Sequence, residues 1–437
     1  MLYSGMMRNR RPGPRPTLSY RIVLALGACL AGLPAAATLT GTVTWDGHPV
    51  AGARVTVAAV GQRVMTDSAG HYSLPMTTGL VSRGANPRSA SFRAPVTTDR
   101  RNPTVTFADA GSGRFRGDGR ALSGEPLAAF PPNAAAKSAV AAAEIVIVAR
   151  GYTMLKIPLT EGQIRADASL QRDYRRHLWV WEEGVLTNAA LRDSLFAFGK
   201  SKGIGTYYVN AGGVLGSKDA ALAAFLDTAE ARGYAVELLF GEPGWATTAQ
   251  HGTVLNLIKQ TKALAAAQDK MLAAVPAAIQ FDVEPYSMAD TAGIGTQWVD
   301  MYVKAAAELR GTGVGLTACV PRWLDDRQVL RAGKTRPLSE WIADASDRMT
   351  LMDYTDKAKG ILDGAANELA YADATGKQVA VGVETMANLD PPSVSFSEEG
   401  EAALEAALAA DEPEFRKHPS YFGAAIHHWR AYQALMP

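Results

Sequence analysis

Cysteine is nearly missing from this chain: Cys29 and Cys319 are the only two in 437 residues. The first falls in a leader that cleavage would remove, so no intrachain disulfide is left and stability has to come from buried apolar surface. Cys319 lies in the run Gly315-Leu316-Thr317-Ala318-Cys319-Val320, the setting of a buried structural thiol rather than a nucleophile. Net charge is scarce too, Lys+Arg 44 against Asp+Glu 43, or +1. Residues 1–37 hold five arginines (Arg8, Arg10, Arg11, Arg15, Arg21) and no acid, so +1 less five leaves −4 for the remainder. A mildly acidic body is a poor polyanion binder, which argues against nucleic acid as a partner. There is no H-E-x-x-H and no Cys/His cluster, so neither a zinc site nor any other metal or cofactor is expected. G-x-S-x-G and the P-loop are also missing, which argues against serine-hydrolase and nucleotide chemistry. No long hydrophobic run exists: Ile22 to Leu33 falls short of the about 20 residues that span a bilayer.

What is present starts with an export signal. The basic stretch Arg8–Arg21, the apolar run Ile22 to Leu33 and the small-residue cluster Ala35-Ala36-Ala37 read as a secretory leader over residues 1–37, and Met7 is a possible start. Arg10-Arg11 is followed by Pro12-Gly13, unlike a twin-arginine signal. Leu26-Gly27-Ala28-Cys29 is a weak lipobox match, so a secreted or periplasmic soluble protein is expected ahead of a lipid anchor at Cys29.

Residues 39–75 alternate like short strands divided by turns: Leu39–Trp45, the Asp46-Gly47 turn, Arg54–Ala59, then Asp67-Ser68-Ala69-Gly70 before Tyr72-Ser73-Leu74. The pattern Gly41-x-Val43, Gly47-x-Pro49-Val50-x-Gly52-Ala53-x-Val55, Thr66-Asp67-x-x-Gly70-x-Tyr72 resembles the carboxypeptidase regulatory-like domain, a small transthyretin-like β-sandwich. That resemblance implies an accessory module over residues 38–170. Its last strands are expected at Glu144–Ala149, Gly151-Tyr152 and Leu155–Pro158. Residues 76–143, rich in Pro, Ala, Arg, Ser and Gly, read as an inserted loop with one hairpin around Thr104–Phe107.

From His177 the period changes. Short apolar strands are expected at His177–Trp181, Ile204–Val209, Ala235–Phe240, Ala278–Glu284, Val314–Val320, Arg348–Tyr354, Gln378–Glu384 and Phe422–Trp429. Helical stretches such as Ala189–Lys200, Asp219–Arg232, Thr253–Leu272, Gln297–Leu309, Ile361–Thr375 and Ser397–Ala410 lie between them. Eight such units over residues 175–437 predict an α/β fold, a (β/α)8 TIM barrel behind the N-terminal β-sandwich. The runner-up, an open doubly wound sheet, lacks its signature, because Gly311-x-Gly313-x-Gly315 precedes a strand and not a helix.

Barrel enzymes work at the C-terminal strand ends. Those ends carry Trp179, Trp181, Tyr208, Asn210, Glu242, Trp245, Asp282, Glu284, Tyr286, Arg322, Trp323, Asp353, Tyr354, Glu384, His427 and Trp429. Five of eight tryptophans fall there, and aromatic faces backed by carboxylates suit sugar rings; the same rings could equally cap the barrel. The sharpest element is Ile279-Gln280-Phe281-Asp282-Val283-Glu284-Pro285-Tyr286, in which period two sets Asp282 and Glu284 on one side of the strand. Two carboxylates in one mouth repel, so one keeps its proton, as a general acid for a glycosidic oxygen must.

A fourth strand ending in D-x-E, Met352-x-Tyr354 on the sixth and Trp429 after the eighth resemble the chitinase-type family 18 glycoside hydrolases; the D-x-E is also similar to that of family 25 lysozymes. By that resemblance Glu284 is the acid, Asp282 orients it or the substrate, and Tyr354 steadies the intermediate. The chain departs from the fuller family motif at Ile279-Gln280-Phe281, where further aspartates would stand. Glu384, ending strand seven, is similar in place to the nucleophile of the large retaining-glycosidase clan; its other reading is a buried partner for an arginine such as Arg322 or Arg430.

Substrate-binding candidates are Trp181, Tyr208, Asn210, Trp245, Tyr286, Trp323, Asp353, His427 and Trp429. His427 and His428 are neighbours on a strand and point opposite ways, so they cannot share a metal. The function expected is hydrolysis of a glycosidic bond in a cell-envelope or extracellular polysaccharide. A carbohydrate-binding barrel without turnover is the alternative, and a metal-dependent deacetylase a third.

Overall fold

The computed structural model describes residues 37–76, 143–160, 163–288 and 293–436. The leader, Cys29, the insertion with its hairpin and the segment 289–292 lie outside the described residues. Thr38–Pro75, Glu144–Ile157 and Ile164–Pro437 group as one compact unit.

Eight strands close a barrel in chain order: β1 (Arg176–Val180), β2 (Ile204–Asn210), β3 (Ala235–Phe240), β4 (Ala278–Phe281), β5 (Gly315–Pro321), β6 (Arg348–Met352), β7 (Gln378–Glu384) and β8 (Tyr421–His427). All neighbouring pairs are parallel, and β8 pairs with β1 through Ala425–His177 and Ile426–Leu178. A helix follows each strand: Ala189–Ser201, Asp219–Ala231, His251–Lys270, Ile294–Leu309, Leu338–Ala345, Ala358–Thr375, Gly400–Phe415 and Trp429–Ala434. The expected TIM barrel is therefore present. Gly376 closes the sixth of these helices at φ 70°, a left-handed conformation that glycine takes without Cβ strain.

Strand alternation sorts the side chains into two layers. Leu178, Val180, Tyr207, Val209, Leu238, Ile279, Phe281, Leu316, Val320, Leu351, Val381 and Ile426 face outward and pack under the helices, fully buried. Each such aliphatic or aromatic burial contributes about 1.5–3 kcal/mol before the entropic cost of ordering. The alternate residues face the barrel axis, where Trp179, Tyr208, Leu239, Cys319, Met352, Ala380 and Ala425 form the inner apolar plug. Cys319 is buried and free, as its sequence setting implied.

Three strands end two or three residues earlier than expected. β4 stops at Phe281, though Asp282 N still donates to Phe240 O at 2.8 Å, so Asp282 and Glu284 leave the ladder just as the mouth begins. β6 stops at Met352. β8 stops at His427, the His427–His428 peptide is cis, and Trp429 opens a helix instead of continuing the strand.

Ahead of the barrel, the expected alternation resolves into eight short strands in two small sheets. One orders His48–Pro49, Ala37–Trp45 and His71–Met76, with Ala168–Ser169 parallel to the long strand. The other orders Gln62–Met65, Arg54–Val57, Glu144–Val148 and Leu155–Pro158. Val43, Val55, Val57, Leu74, Ile145 and Ile147 are their buried residues. Tyr152 makes an isolated bridge to Arg172 rather than joining a strand. Ion pairs Arg54–Glu230 and Arg63–Asp269 link these sheets to the outer helices of the barrel.

Candidate active site

The barrel axis is polar below the plug. Arg348 Nη1 meets Glu237 Oε1 at 2.7 Å, and Thr317 Oγ1 donates to Glu237 Oε2 at 2.7 Å. Arg150, reaching in from the strand that ends at Val148, donates to Thr317 Oγ1 at 2.6 Å. Burial alone would raise the Glu237 carboxyl, but Arg348 and Arg150 outweigh it and hold it below the usual range. Arg348 also stacks on the Phe422 ring at 3.5 Å. His177, wholly buried, is pushed down to about 4 by burial and by Arg348.

Above this floor a chain of hydrogen bonds leads to the mouth, with donation running downward from Gln280 through Thr350 and Tyr208 to His177. His177 Nε2 bonds Phe422 O at 2.9 Å, so its Nδ1 is free to accept from Tyr208 OH at 2.6 Å. Thr350 Oγ1 donates to Tyr208 OH at 3.2 Å, and Gln280 Nε2 donates to Thr350 Oγ1 and to Cys319 Sγ, each at 3.1 Å. Cys319 lies close enough to Asp282 to pull its carboxyl slightly down. Tyr208, expected to touch substrate, is thus a wholly buried member of the barrel interior, because its parity on β2 aims it down the axis.

Asp282 and Glu284 do come together at the mouth, hydrogen-bonded to each other. Asp282 is pushed up to about 7, first by burial and then by the neighbouring charge of Glu284, and its Oδ1 has no hydrogen-bond partner. Glu284 is raised by burial, while Tyr286 and His427 work the other way. The pair therefore titrates as one unit that keeps a proton toward neutral pH. Tyr286 stands beside Glu284 and edge-on to Trp323, ring centroids 4.9 Å apart. Trp323 is 42% exposed and forms an open aromatic wall. Burial, then the charges of Glu384 and Asp282, push the Tyr354 hydroxyl far up, so that phenol stays a neutral donor.

Glu384 is 3% exposed and both its oxygens are engaged. Oε1 accepts from the backbone N–H of Thr385 at 2.7 Å and of Met386 at 2.8 Å; Oε2 meets His427 Nδ1 at 2.8 Å. Its partner is His427 rather than an arginine: Arg322 pairs with Asp353 and Arg430 with Glu182. Glu384 and His427 are register partners at the ends of β7 and β8, which is why they meet. Trp181 Nε1 donates to His427 Nε2 at 2.9 Å. Trp179 stands edge-on to the His427 ring at 5.5 Å, and Tyr354 lies 6.0 Å from it.

Four further candidates are engaged elsewhere. Trp429 is wholly buried in the layer outside the barrel, since the chain turns into a helix there and its parity with His427 is lost. Asp353 is wholly buried against Arg322 at 3.0 Å and pushed up to about 7 by burial, with Arg322 pulling it back; it faces Gly364 of the following helix and not the mouth. Trp245 packs edge-on to the outward-facing Phe281 at 6.4 Å. Asn210 shapes the turn after β2, its Oδ1 accepting from Gly212 N at 3.2 Å and its Nδ2 reaching Trp181 O at 3.5 Å. Gln280 and Cys319 were not among the expected site residues, although Gln280 sits two residues before Asp282 on the same strand face; Trp179 was expected at a strand end but not as a binding residue. Among the described residues no group of three or more His, Cys, Asp or Glu could hold a metal ion, and no helix is long and apolar enough to cross a membrane.

No protein-family model and no curated protein matches the chain. Among solved structures it is similar to a GH18 chitinase from Pseudoalteromonas aurantia, at 12% identity over 58% of this chain and 94% of that one, TM-score 0.39. It is likewise similar to a chitinase from Bacteroides thetaiotaomicron, at 13% identity over 59% of this chain and 90% of that one, TM-score 0.37. A third is the glycoside hydrolase domain of PelA from Pseudomonas aeruginosa, at 10% identity over 60% of this chain and 96% of that one, TM-score 0.31.

Proposed function

We propose that this chain is an exported glycoside hydrolase that cleaves a glycosidic bond in a cell-envelope or extracellular polysaccharide, with Glu284 as general acid. The observation that carries the reading is the hydrogen-bonded Asp282–Glu284 pair, raised by burial at the C-terminal mouth of a (β/α)8 barrel. A carboxyl that holds its proton near neutral pH can hand it to a leaving oxygen, and its partner takes up the proton balance. Asp282 is assigned that partner role. Tyr354 and Tyr286 would donate to the sugar or to charge that develops beside it, and Trp323 and Trp181 would flank the ring. Glu384, with both oxygens engaged, is assigned to holding His427 rather than to attack. The sheets ahead of the barrel are assigned to an accessory module of the carboxypeptidase regulatory-like kind, without a part in the chemistry.

The test is release of reducing ends by residues 38–437 from purified polysaccharides, chitin and peptidoglycan included, beside Glu284→Gln. Turnover by the native sequence alone supports the hydrolase. If both variants are silent while one glycan still binds to both, the barrel holds carbohydrate without turnover.

A further inference from the structure

Glu384 and His427 have been described so far as a pair, but their hydrogen bonds run on to a third residue in a fixed direction. Glu384 Oε1 is occupied by two backbone donors, so the whole carboxylate is clamped at the end of β7. Its other oxygen can only accept, which requires His427 Nδ1 to carry the proton. An imidazole protonated at Nδ1 and receiving an N–H at Nε2 is neutral, with its Nε2 lone pair fixed in the ring plane. That lone pair takes the Trp181 indole N–H at 2.9 Å. Trp181 itself is partly exposed at the mouth, one of the aromatic groups available to a ligand there. The His427 ring is packed by Trp179, Tyr354 and His428 with centroids 5.5, 6.0 and 5.0 Å away, so it cannot turn over to offer the other nitrogen without displacing them. Asp282 and Glu284 are the titratable groups that face it from the segment after β4.

We infer that Glu384 and His427 are positioning residues for Trp181: the carboxylate selects the Nδ1–H tautomer, and that tautomer locks the indole into the orientation a sugar ring meets. The reason for a glutamate, and not its amide, follows from the donor count. Glutamine at 384 could still accept from Thr385 and Met386 with its oxygen, but it would present N–H to His427 Nδ1. The imidazole would then carry its proton on Nε2, facing the Trp181 N–H donor against donor. An isosteric change would thus release Trp181 without altering the packing.

This inference rests on the sugar-binding reading only for its kinetic arm. In the full chain labelled with 15N-histidine, long-range proton–nitrogen spectra read the tautomer of His427 directly, assigned by its loss in His427→Gln. The native protein is expected to show Nδ1–H, and Glu384→Gln to invert it, with a shift in tryptophan emission that Trp181→Phe abolishes. On a polysaccharide that the native chain turns over, Glu384→Gln should raise KM about tenfold, the loss of roughly one held hydrogen bond and its ordering, with a much smaller fall in kcat. Trp181→Phe, which keeps a ring but has no N–H, should do the same, and the double variant should add nothing further. An Nε2–H tautomer in the native protein would overturn the inference. So would a collapse of kcat in Glu384→Gln at unchanged KM, since that would make Glu384 a reacting group. If no glycan is turned over, the hydrolase reading fails while the spectra still decide the relay.

Discussion

The barrel buries carboxylates at both ends of its axis and treats them in opposite ways. At the floor, Glu237 is wholly enclosed yet held below its ordinary range, because Arg348 and Arg150 supply positive charge and Thr317 a donor. At the mouth, Asp282 is as deeply enclosed but faces Glu284, with no arginine against either among the described residues, and is pushed up to about 7. Burial is common to both; the sign of the nearest charge differs. A buried charge that is matched serves the fold, and one that is met by its own sign is left with a proton to give.

The comparison can be broken first at the floor. Glu237→Leu leaves Arg348 buried without its partner and should cost about 3–5 kcal/mol in urea unfolding, against little for the paired change of both residues to apolar ones. At the mouth, Glu284→Gln should lower turnover about 10³-fold at undiminished stability, read from product release and thermal unfolding together. Asp282→Asn should show the opposite stability sign to Glu237→Leu. A carboxyl raised to about 7 in the fold binds its proton more tightly there than in the unfolded chain, so native stability falls as pH rises from about 4 through 7. Removing that group should therefore stabilise the protein by on the order of 2 kcal/mol at pH 8 and by almost nothing near pH 4. Glu237, lowered in the fold, contributes stability that is present above the ordinary carboxylate range and fades as pH drops below it. The smallest effect is expected at Asp353→Asn: this acid is also raised to about 7, yet it sits against Arg322 away from the mouth, and turnover should stay close to native.

These sites were not equally legible from the chain alone. The eight strands read out because each is a short apolar run bounded by glycine or polar residues, and their positions agree within a few residues. The acid pair was legible because period two along one strand is a local rule, and it holds even after β4 ends at Phe281. Parity failed where the backbone changed course: Trp429 was expected beside His427 but begins a helix, and its indole turns into the outer core. Glu384 was visible as a strand-end carboxylate, but its partner was not, because that depends on the register of β7 against β8 and no local pattern encodes it. The floor was missed for the same reason. Glu237, Arg348, Thr317 and Arg150 come from four separate segments, and only barrel closure brings them into one cluster.

The contrast between floor and mouth comes down to where a proton resides. Infrared difference spectra of the native protein between pH 5 and pH 9, beside Asp282→Asn and Glu237→Gln, read buried protonated carboxyl groups directly. The account predicts protonated-carboxyl absorption that disappears around pH 7 in the native protein and in Glu237→Gln, and that is weakened in Asp282→Asn by the share Asp282 contributes, the share of Asp353 remaining. Absorption of undiminished strength in Asp282→Asn, or none in the native protein at pH 5, would contradict it.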